Sequence, residues 1–295
     1  AVFTNLGEDH IGPGEHADFE EYLYYKTRLL NMCGIGLVNK DDKHAPQIIK
    51  AANCELYTYS EESKEADSVA SDIRYVSQPD FVGTEFHISG KYDMEVRLGI
   101  PGLFNVVNAL AAVSVCSFLG LDQARISHAL ENIRVNGRME IVYTSERCTV
   151  LVDYAHNAVS MESLLSTLRD YKPKRLVCVF GCGGNRSKDR RYSMGEIGGK
   201  MADLSIITAD NSRYEKVEDI IADIRGSIEK TGGKFIEIPD RREAIRYSIL
   251  HAQPGDMVAV IGKGHEDYQE INGVRHHFLD REVIEETVKE LGEKA

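Results

Sequence analysis

The sequence predicts an α/β protein in two parts, and three features carry that prediction. From residue 149 onward, short apolar runs alternate with amphipathic stretches, the pattern of a parallel sheet built from βαβ units. Before that point two runs of period-two alternation flank the turn "GKYD", which signals a hairpin. Polar, glycine-rich turns follow the apolar runs of the second part, as in "VIGKGHEDYQEI" (260–271), and such turns are where open α/β sheets place ligands. A chain of 295 residues accommodates two medium domains. The change of pattern places the boundary near residue 145, giving parts 1–144 and 145–295.

Taken in order, "AVFTNLGEDH" reads as a short strand and a loop, with no initiating Met, so residue 1 is expected to lie inside a larger protein. "FEEYLYYKTRLL" (19–30) has helical apolar spacing and "CGIGLVN" (33–39) reads as a strand. "HAPQIIKAANC" predicts a helix, "ELYTYS" a short strand and the acidic "SEESKEAD" (60–67) a solvated loop. "TEFHISG" and "MEVRLGI" form the hairpin, expected on an antiparallel sheet. "FNVVNALAAVSVCSFLG" (104–120) predicts an apolar helix, and "DQARISHALENI" (122–133) a second one capped by Asp122. In the second part the strands "TVLVDYA", "RLVCVFG", "LSIITAD", "FIEIP" and "MVAVIGKG" are expected to alternate with the helices "SMESLLSTLRDY", "MGEIGGKMA", "VEDIIADIRGSIEK", "RREAIRYSILHA" and "DREVIEETVKELGEK".

Composition narrows the function. A formal net charge of −12 argues against nucleic acid or an anionic membrane as the main partner, since both require clustered Lys and Arg. The six cysteines form no Cys-x-x-Cys pair, and Cys178 and Cys182 are spaced for no common zinc site, so they read as reduced thiols of a cytoplasmic protein. No apolar run is long enough to cross a membrane.

Four polar clusters follow apolar runs of the second part: "DYAHN" (153–157), "GCGGNRSKDRR" (181–191), "TADNSRYE" (208–215) and "GKGHED" (262–267). In a parallel sheet the carboxyl ends of all strands share one edge, so the four are expected to converge. Any one of them alone is also explained as a solvated surface turn.

Together with "TNLGEDHIG", "YYKTRLL", "FNVVNALAA" and "NGRMEIV", these motifs occur in the order found in the Mur ligases, and the whole chain resembles that family. It is most similar to the branch that adds the third amino acid of the peptidoglycan stem. The resemblance implies the later part of a central ATPase domain followed by a Rossmann-like C-terminal domain. It implies ATP-dependent amide formation through an acyl phosphate, with ATP and Mg2+, on UDP-N-acetylmuramoyl-dipeptide and a diamino acid, by a monomer. The family's Gly-x-x-Gly-Lys-Thr/Ser phosphate loop occurs nowhere in these residues, so this stretch alone is expected to be inactive.

The resemblance also implies roles for individual residues. Asp9 and His10 match the family's Asp-His, whose His ligates a magnesium ion, and Lys26 matches a lysine carbamylated to help hold magnesium. Without the resemblance, Lys26 is an ordinary helix-face lysine and His10 a loop residue. Asn108 matches the position that meets the adenine, and Asn105 is either a partner to it or a helix N-cap. Arg138, Asp153 and His156 match residues at the nucleotide. After "DYAHN" the family continues Pro-Asp, where this chain has Ala158 and Val159. Amino-acid choice is expected at Arg186, Asp210, Asn211, Ser212, Arg213, Gly262 and Glu266. The branch that uses meso-diaminopimelate has Asp-Asn-Pro-Arg at 210–213, where Ser212 stands here for the proline, and its arginine grips the distal carboxylate. The presence of Arg213 favours meso-diaminopimelate over lysine. The competing readings are a lysine-adding ligase, a noncatalytic binding module and a dinucleotide-binding dehydrogenase. "GCGGNR" does not meet the Gly-x-Gly-x-x-Gly requirement of the last.

Overall fold

The computed structural model describes residues 1–7, 11–12 and 15–292. They fall into two compact units, one comprising Ala1–Arg74 with Thr84–Ile133 and the other Tyr75–Gly83 with Arg134–Ala295. Residues 134–144, placed in the first part on sequence pattern, belong with the second unit because strand Glu140–Thr144 pairs with Cys148–Asp153.

The sheet containing the first unit's strands runs in the order β1 (Val2–Phe3), β2 (Ile35–Asn39), β3 (Glu55–Ser60), β4 (Ser68–Gln78), β5 (Phe81–Gly90), β6 (Met94–Leu98). It is mixed, contrary to the antiparallel sheet expected around the hairpin. β1, β2, β3 and β4 pair in parallel, and β5 pairs with β6 antiparallel. The cause is connectivity, because helices α1 (Phe19–Arg28) and α2 (Ala45–Ala51) return the chain between β1, β2 and β3. The Asp18 side chain caps α1 by accepting from Glu21 N at 2.8 Å. Helix α3 (Leu103–Phe118) buries Val106, Ala109, Leu110 and Val113 in a core with Phe86, Val96 and Leu98, joined by Ile126 and Leu130 of α4 (Gln123–Glu131).

In the second unit the sheet order is β11 (Phe235–Glu237), β10 (Leu204–Ile207), β9 (Arg175–Phe180), β12 (Asp256–Ile261), β8 (Cys148–Asp153), β7 (Glu140–Thr144). All neighbours are parallel except β7 and β8. β8 and β12 are buried along their full length, which is why they read as unbroken apolar runs. The helices are α5 (Ala158–Asp170), α6 (Asp189–Met201), α7 (Val217–Thr231), α8 (Arg241–Leu250) and α9 (Asp280–Glu290). α5 starts on a reciprocal Asn157–Ser160 capping box, so Ala158 and Val159 form its first turn. α6 begins at Asp189, well before the expected "MGEIGGKMA". A hairpin not expected from sequence, β13 (Tyr268–Ile271) with β14 (Val274–His277), follows the turn after β12.

Register places the functional edge. Ile261 is level with Asp153, Val260 with Val179, and Phe180 with Ile207. The residues that follow these strand ends therefore emerge side by side.

Candidate active site

The four turns converge on a cleft of about 310 Å³ in the second unit, lined among others by His156, Arg186, Asp210, Asn211, Arg213 and Glu266. At the end of β8, Asp153 is buried. Its Oδ2 accepts from Met139 N at 2.8 Å and its Oδ1 from Ala155 N at 2.7 Å. Burial raises its pKa above the ordinary carboxylate value, and these two N–H groups and the nearby Arg138 charge act against that rise. The exposed Arg138 guanidinium stands 5.2 Å from the centroid of the Tyr154 ring. His156 packs on the same tyrosine at 4.8 Å and donates through Nδ1 to Tyr154 O at 3.0 Å, which leaves Nε2 as its second ring nitrogen. Arg138, Asp153 and His156 are thus brought together around Tyr154, a residue that the sequence leaves indistinguishable from packing.

The turns after β9 and β10 are locked to each other. A Cβ on Gly184 would lie 1.9 Å from Ser212 O, so only glycine allows this approach. Gly184 N donates to Asn211 O at 2.9 Å, and Arg213 Nη1 donates to Gly184 O at 2.7 Å. Behind them the buried Arg191 binds both Glu215 oxygens at 2.8 Å and Asp223 Oδ2 at 2.9 Å, and Glu215 in turn accepts from Asn185 N. Arg186 is exposed at the cleft, and Arg190 of α6 lines it as well.

Arg213 has φ +51°, and its main chain pairs with the β13 hairpin, donating to Glu270 O at 3.0 Å and accepting from Asn272 N at 2.6 Å. Its Nε lies 3.5 Å from Glu270 Oε2. Asp210, Asn211 and Ser212 are buried. Gly262 has φ +111°, and a Cβ there would stand 2.9 Å from Asp210 Oδ2, so the turn after β12 is built for glycine. Glu266 Oε2 accepts from Asn211 Nδ2 at 3.0 Å and lies 3.3 Å from the ammonium of Lys263.

Beneath the cleft, the fully buried pair Arg241–Asp280 ties the sheet edge together. Two guanidinium nitrogens bind the carboxylate at 2.7 Å, while Nη1 and Nη2 donate to Ala209 O at 3.3 Å and Ile261 O at 3.0 Å. Those carbonyls immediately precede Asp210 and Gly262.

In the first unit, Lys26 is exposed on α1 with its Nζ 5.1 Å from the Tyr22 ring centroid. Asn105 is not an N-cap, because α3 starts at Leu103. It lies within the first turn and donates through Nδ2 to Pro101 O at 2.7 Å. Asn108 is exposed one turn on, its Nδ2 3.4 Å from Asn105 Oδ1. Asp9 and His10 lie outside the described residues. Among the described residues no three His, Cys, Asp or Glu side chains gather as a metal site. The six cysteines are free, and Cys148, Cys178 and Cys182 are buried, with burial pushing the Cys182 thiol up to about 12.

Residues 1–116 match the Mur ligase middle domain, and residues 137–264 match the Mur ligase glutamate ligase domain. The chain belongs to the Mur ligase family. It is 40% identical over 286 residues to UDP-N-acetylmuramoyl-L-alanyl-D-glutamate--2,6-diaminopimelate ligase 2 of Clostridium acetobutylicum, covering 97% of this chain and 58% of that protein. It is also 40% identical over 288 residues to the diaminopimelate ligase of Trichormus variabilis, covering 95% of this chain and 57% of that one. A solved structure of a UDP-N-acetylmuramoyl-L-alanyl-D-glutamate--2,6-diaminopimelate ligase superposes with TM-score 0.78 at 34% identity, over 99% of this chain and 60% of that one. The UDP-N-acetylmuramate-alanine ligase of Thermotoga maritima, at 18% identity and TM-score 0.62, shares the fold over 99% of this chain and 59% of its own. The chain thus spans somewhat over half the length of these Mur ligases. No described helix is long and apolar enough to cross a membrane.

Proposed function

We propose that this chain serves the ATP-dependent ligation that joins meso-diaminopimelate to UDP-N-acetylmuramoyl-L-Ala-D-Glu, acting as a monomer. In that reaction a substrate carboxylate oxygen attacks the γ-phosphorus of ATP and ADP leaves. The amine nitrogen of the diamino acid then attacks the acyl carbon of the resulting acyl phosphate, phosphate departs and the amine proton is released. The chain's share is to place the amine, and proper placement supplies much of the acceleration of such a step.

The observation that carries the proposal is the charge arrangement of the cleft. Arg213 and Glu266 line the same cavity, each held in place by neighbouring groups. The distal carbon of meso-diaminopimelate bears a carboxylate and an ammonium. A guanidinium suits the first and a carboxylate the second. Arg186 adds a second cation, and Asp210, Asn211 and Gly262 line the cavity, while Ser212 is buried in the same turn as Asn211 and Arg213. Lysine offers nothing for Arg213 to bind.

For the nucleotide, the second unit offers Arg138, Asp153 and His156 gathered around Tyr154; within the first unit, taken by itself, Asn105 and Asn108 are the proposed nucleotide contacts. The exposed Arg138, held over Tyr154, suits an anionic ligand. For Mg2+ the described residues do not fit. Lys26 is a cation in ammonium form, and only as a carbamate would it offer ligand oxygens. Calorimetric titration tests the reading, with meso-diaminopimelate expected to bind this chain and lysine expected to bind far more weakly. Equal affinity for the two would refute it.

A further inference from the structure

Lys263 lies in the turn after β12 with its side chain completely buried. An ammonium in such a place is costly unless it is paired. Its Nζ donates to Asn211 Oδ1 at 3.3 Å, lies 3.3 Å from Glu266 Oε2, and stands 5.2 Å from the Tyr268 ring centroid. Asn211 Oδ1 also accepts from Glu270 N at 2.9 Å. Two donors facing the same end of the amide require that end to be oxygen, so Nδ2 is directed to Glu266, which it reaches at 3.0 Å. Lysine, amide and carboxylate form a closed triangle, and two of its corners, Asn211 and Glu266, line the cleft.

Resting on the reading of Glu266 as acceptor for a distal ammonium, we propose that Lys263 is a positioning residue that sets selectivity for a diamino acid without touching it. Both donors converge on Glu266 Oε2, so the carboxylate is held by one oxygen and Oε1 is left for the ligand. Among the described residues Asn211 and Lys263 are the groups within hydrogen-bond distance of the carboxylate, so without Lys263 it loses one of the two donors that fix its orientation. The Lys263 charge also repels a ligand ammonium, but it acts from behind the carboxylate that the ligand meets first.

The test is calorimetric titration of the full chain with meso-diaminopimelate and with 2-aminopimelate, which keeps both carboxylates and lacks the distal amine. The proteins are wild type, Lys263→Met, Glu266→Gln and the double variant. Wild type is expected to prefer diaminopimelate. Lys263→Met is expected to lose about tenfold of that preference, the scale of one hydrogen bond to a charged group, with 2-aminopimelate binding nearly unchanged. The double variant is expected to keep the preference ratio of Glu266→Gln, because Lys263 acts only through Glu266. Equal loss of both ligands in Lys263→Met would mark a merely structural lysine and overturn the proposal. So would an unchanged or sharpened preference. If Lys263→Met does not fold, the double variant decides, since it leaves no lone buried charge, and a ratio different from that of Glu266→Gln overturns the proposal. Wild type binding no diaminopimelate would instead bring down the Glu266 reading, and this proposal with it.

Discussion

Arg213→Ala separates recognition of the distal carboxylate from the integrity of the cleft. In the structure one Nη1 hydrogen is committed to Gly184 O at 2.7 Å, and Nε faces Glu270 Oε2 at 3.5 Å. The remaining donors are left for a ligand carboxylate. Truncating one partner of a desolvated charge pair costs about 2–5 kcal/mol. The Arg213 side chain is 23% exposed and already shares its charge with Glu270, so the low end applies. About 2 kcal/mol corresponds to roughly 30-fold weaker meso-diaminopimelate binding. Lysine lacks the carboxylate, so its already weak binding should change by less than about threefold on the same scale. Isothermal titration of both ligands against both proteins measures the difference, and thermal unfolding checks the loss of the Gly184 contact. Equal loss for the two ligands would refute the assignment and make Arg213 a strut for the 183–186 turn. No loss for either would move the carboxylate site elsewhere.

Arg241→Met and Asp280→Leu should each cost about 3–5 kcal/mol in urea unfolding, because each leaves a fully buried charge alone, whereas the double variant should cost less than either. If the costs add, the pair does not act as a unit. Gly184→Ala should destabilise by about 1–3 kcal/mol, the range for overpacking, since its Cβ meets a main-chain oxygen at 1.9 Å. Diaminopimelate binding should weaken in parallel, and an unchanged midpoint would show that the turn can give way. The Arg191 hydrogen bonds, with that from Asn185 N, hold the Glu215 carboxyl below its ordinary value. The stability this contact adds is therefore present above about pH 4.3, the unfolded value, and lost as pH falls through the lower folded one. Melting temperature against pH for Glu215→Gln should show a shallower acid limb than wild type, and parallel curves would count against the linkage.

Most of the second unit was legible because its parallel strands are covered on both faces. β8 and β12 are buried at every position, so burial alone writes them as apolar runs. The polar turns after them were legible for the complementary reason that nothing in packing calls for so many charges there. The sequence was silent where strands lack that cover. β4 mixes buried, half-buried and exposed residues without strict alternation, and all of β14 is exposed, so neither shows a clean period. The Asn272-Gly273 pair, both residues at positive φ, was the one signal that could have disclosed the β13 hairpin. The antiparallel expectation for the first unit failed because a hairpin reports only its own two strands. The helices between β1, β2 and β3, written in the sequence as "FEEYLYYKTRLL" and "HAPQIIKAANC", are what make those strands parallel.

Within the site, the cleft-facing Arg213 and Glu266 could be anticipated, whereas the groups that hold the cleft in shape could not. Arg191, Arg241 and Lys263 have side chains 1% exposed or less. In sequence each is simply a basic residue, which by default belongs on the surface. In the structure each fixes a different part of the cleft. Arg191 holds Glu215 against the turn after β9, Arg241 holds the carbonyls before Asp210 and Gly262, and Lys263 holds Asn211 and Glu266. A pocket for a zwitterion has to keep opposite charges apart although they attract. Buried cations, each bound to carboxylates or to the main chain, are one way to prevent Arg213 and Glu266 from collapsing onto each other. On the proposed reading, the polar residues on the cleft wall are what the ligand meets, and the buried Arg191, Arg241 and Lys263 are what keep that wall in shape.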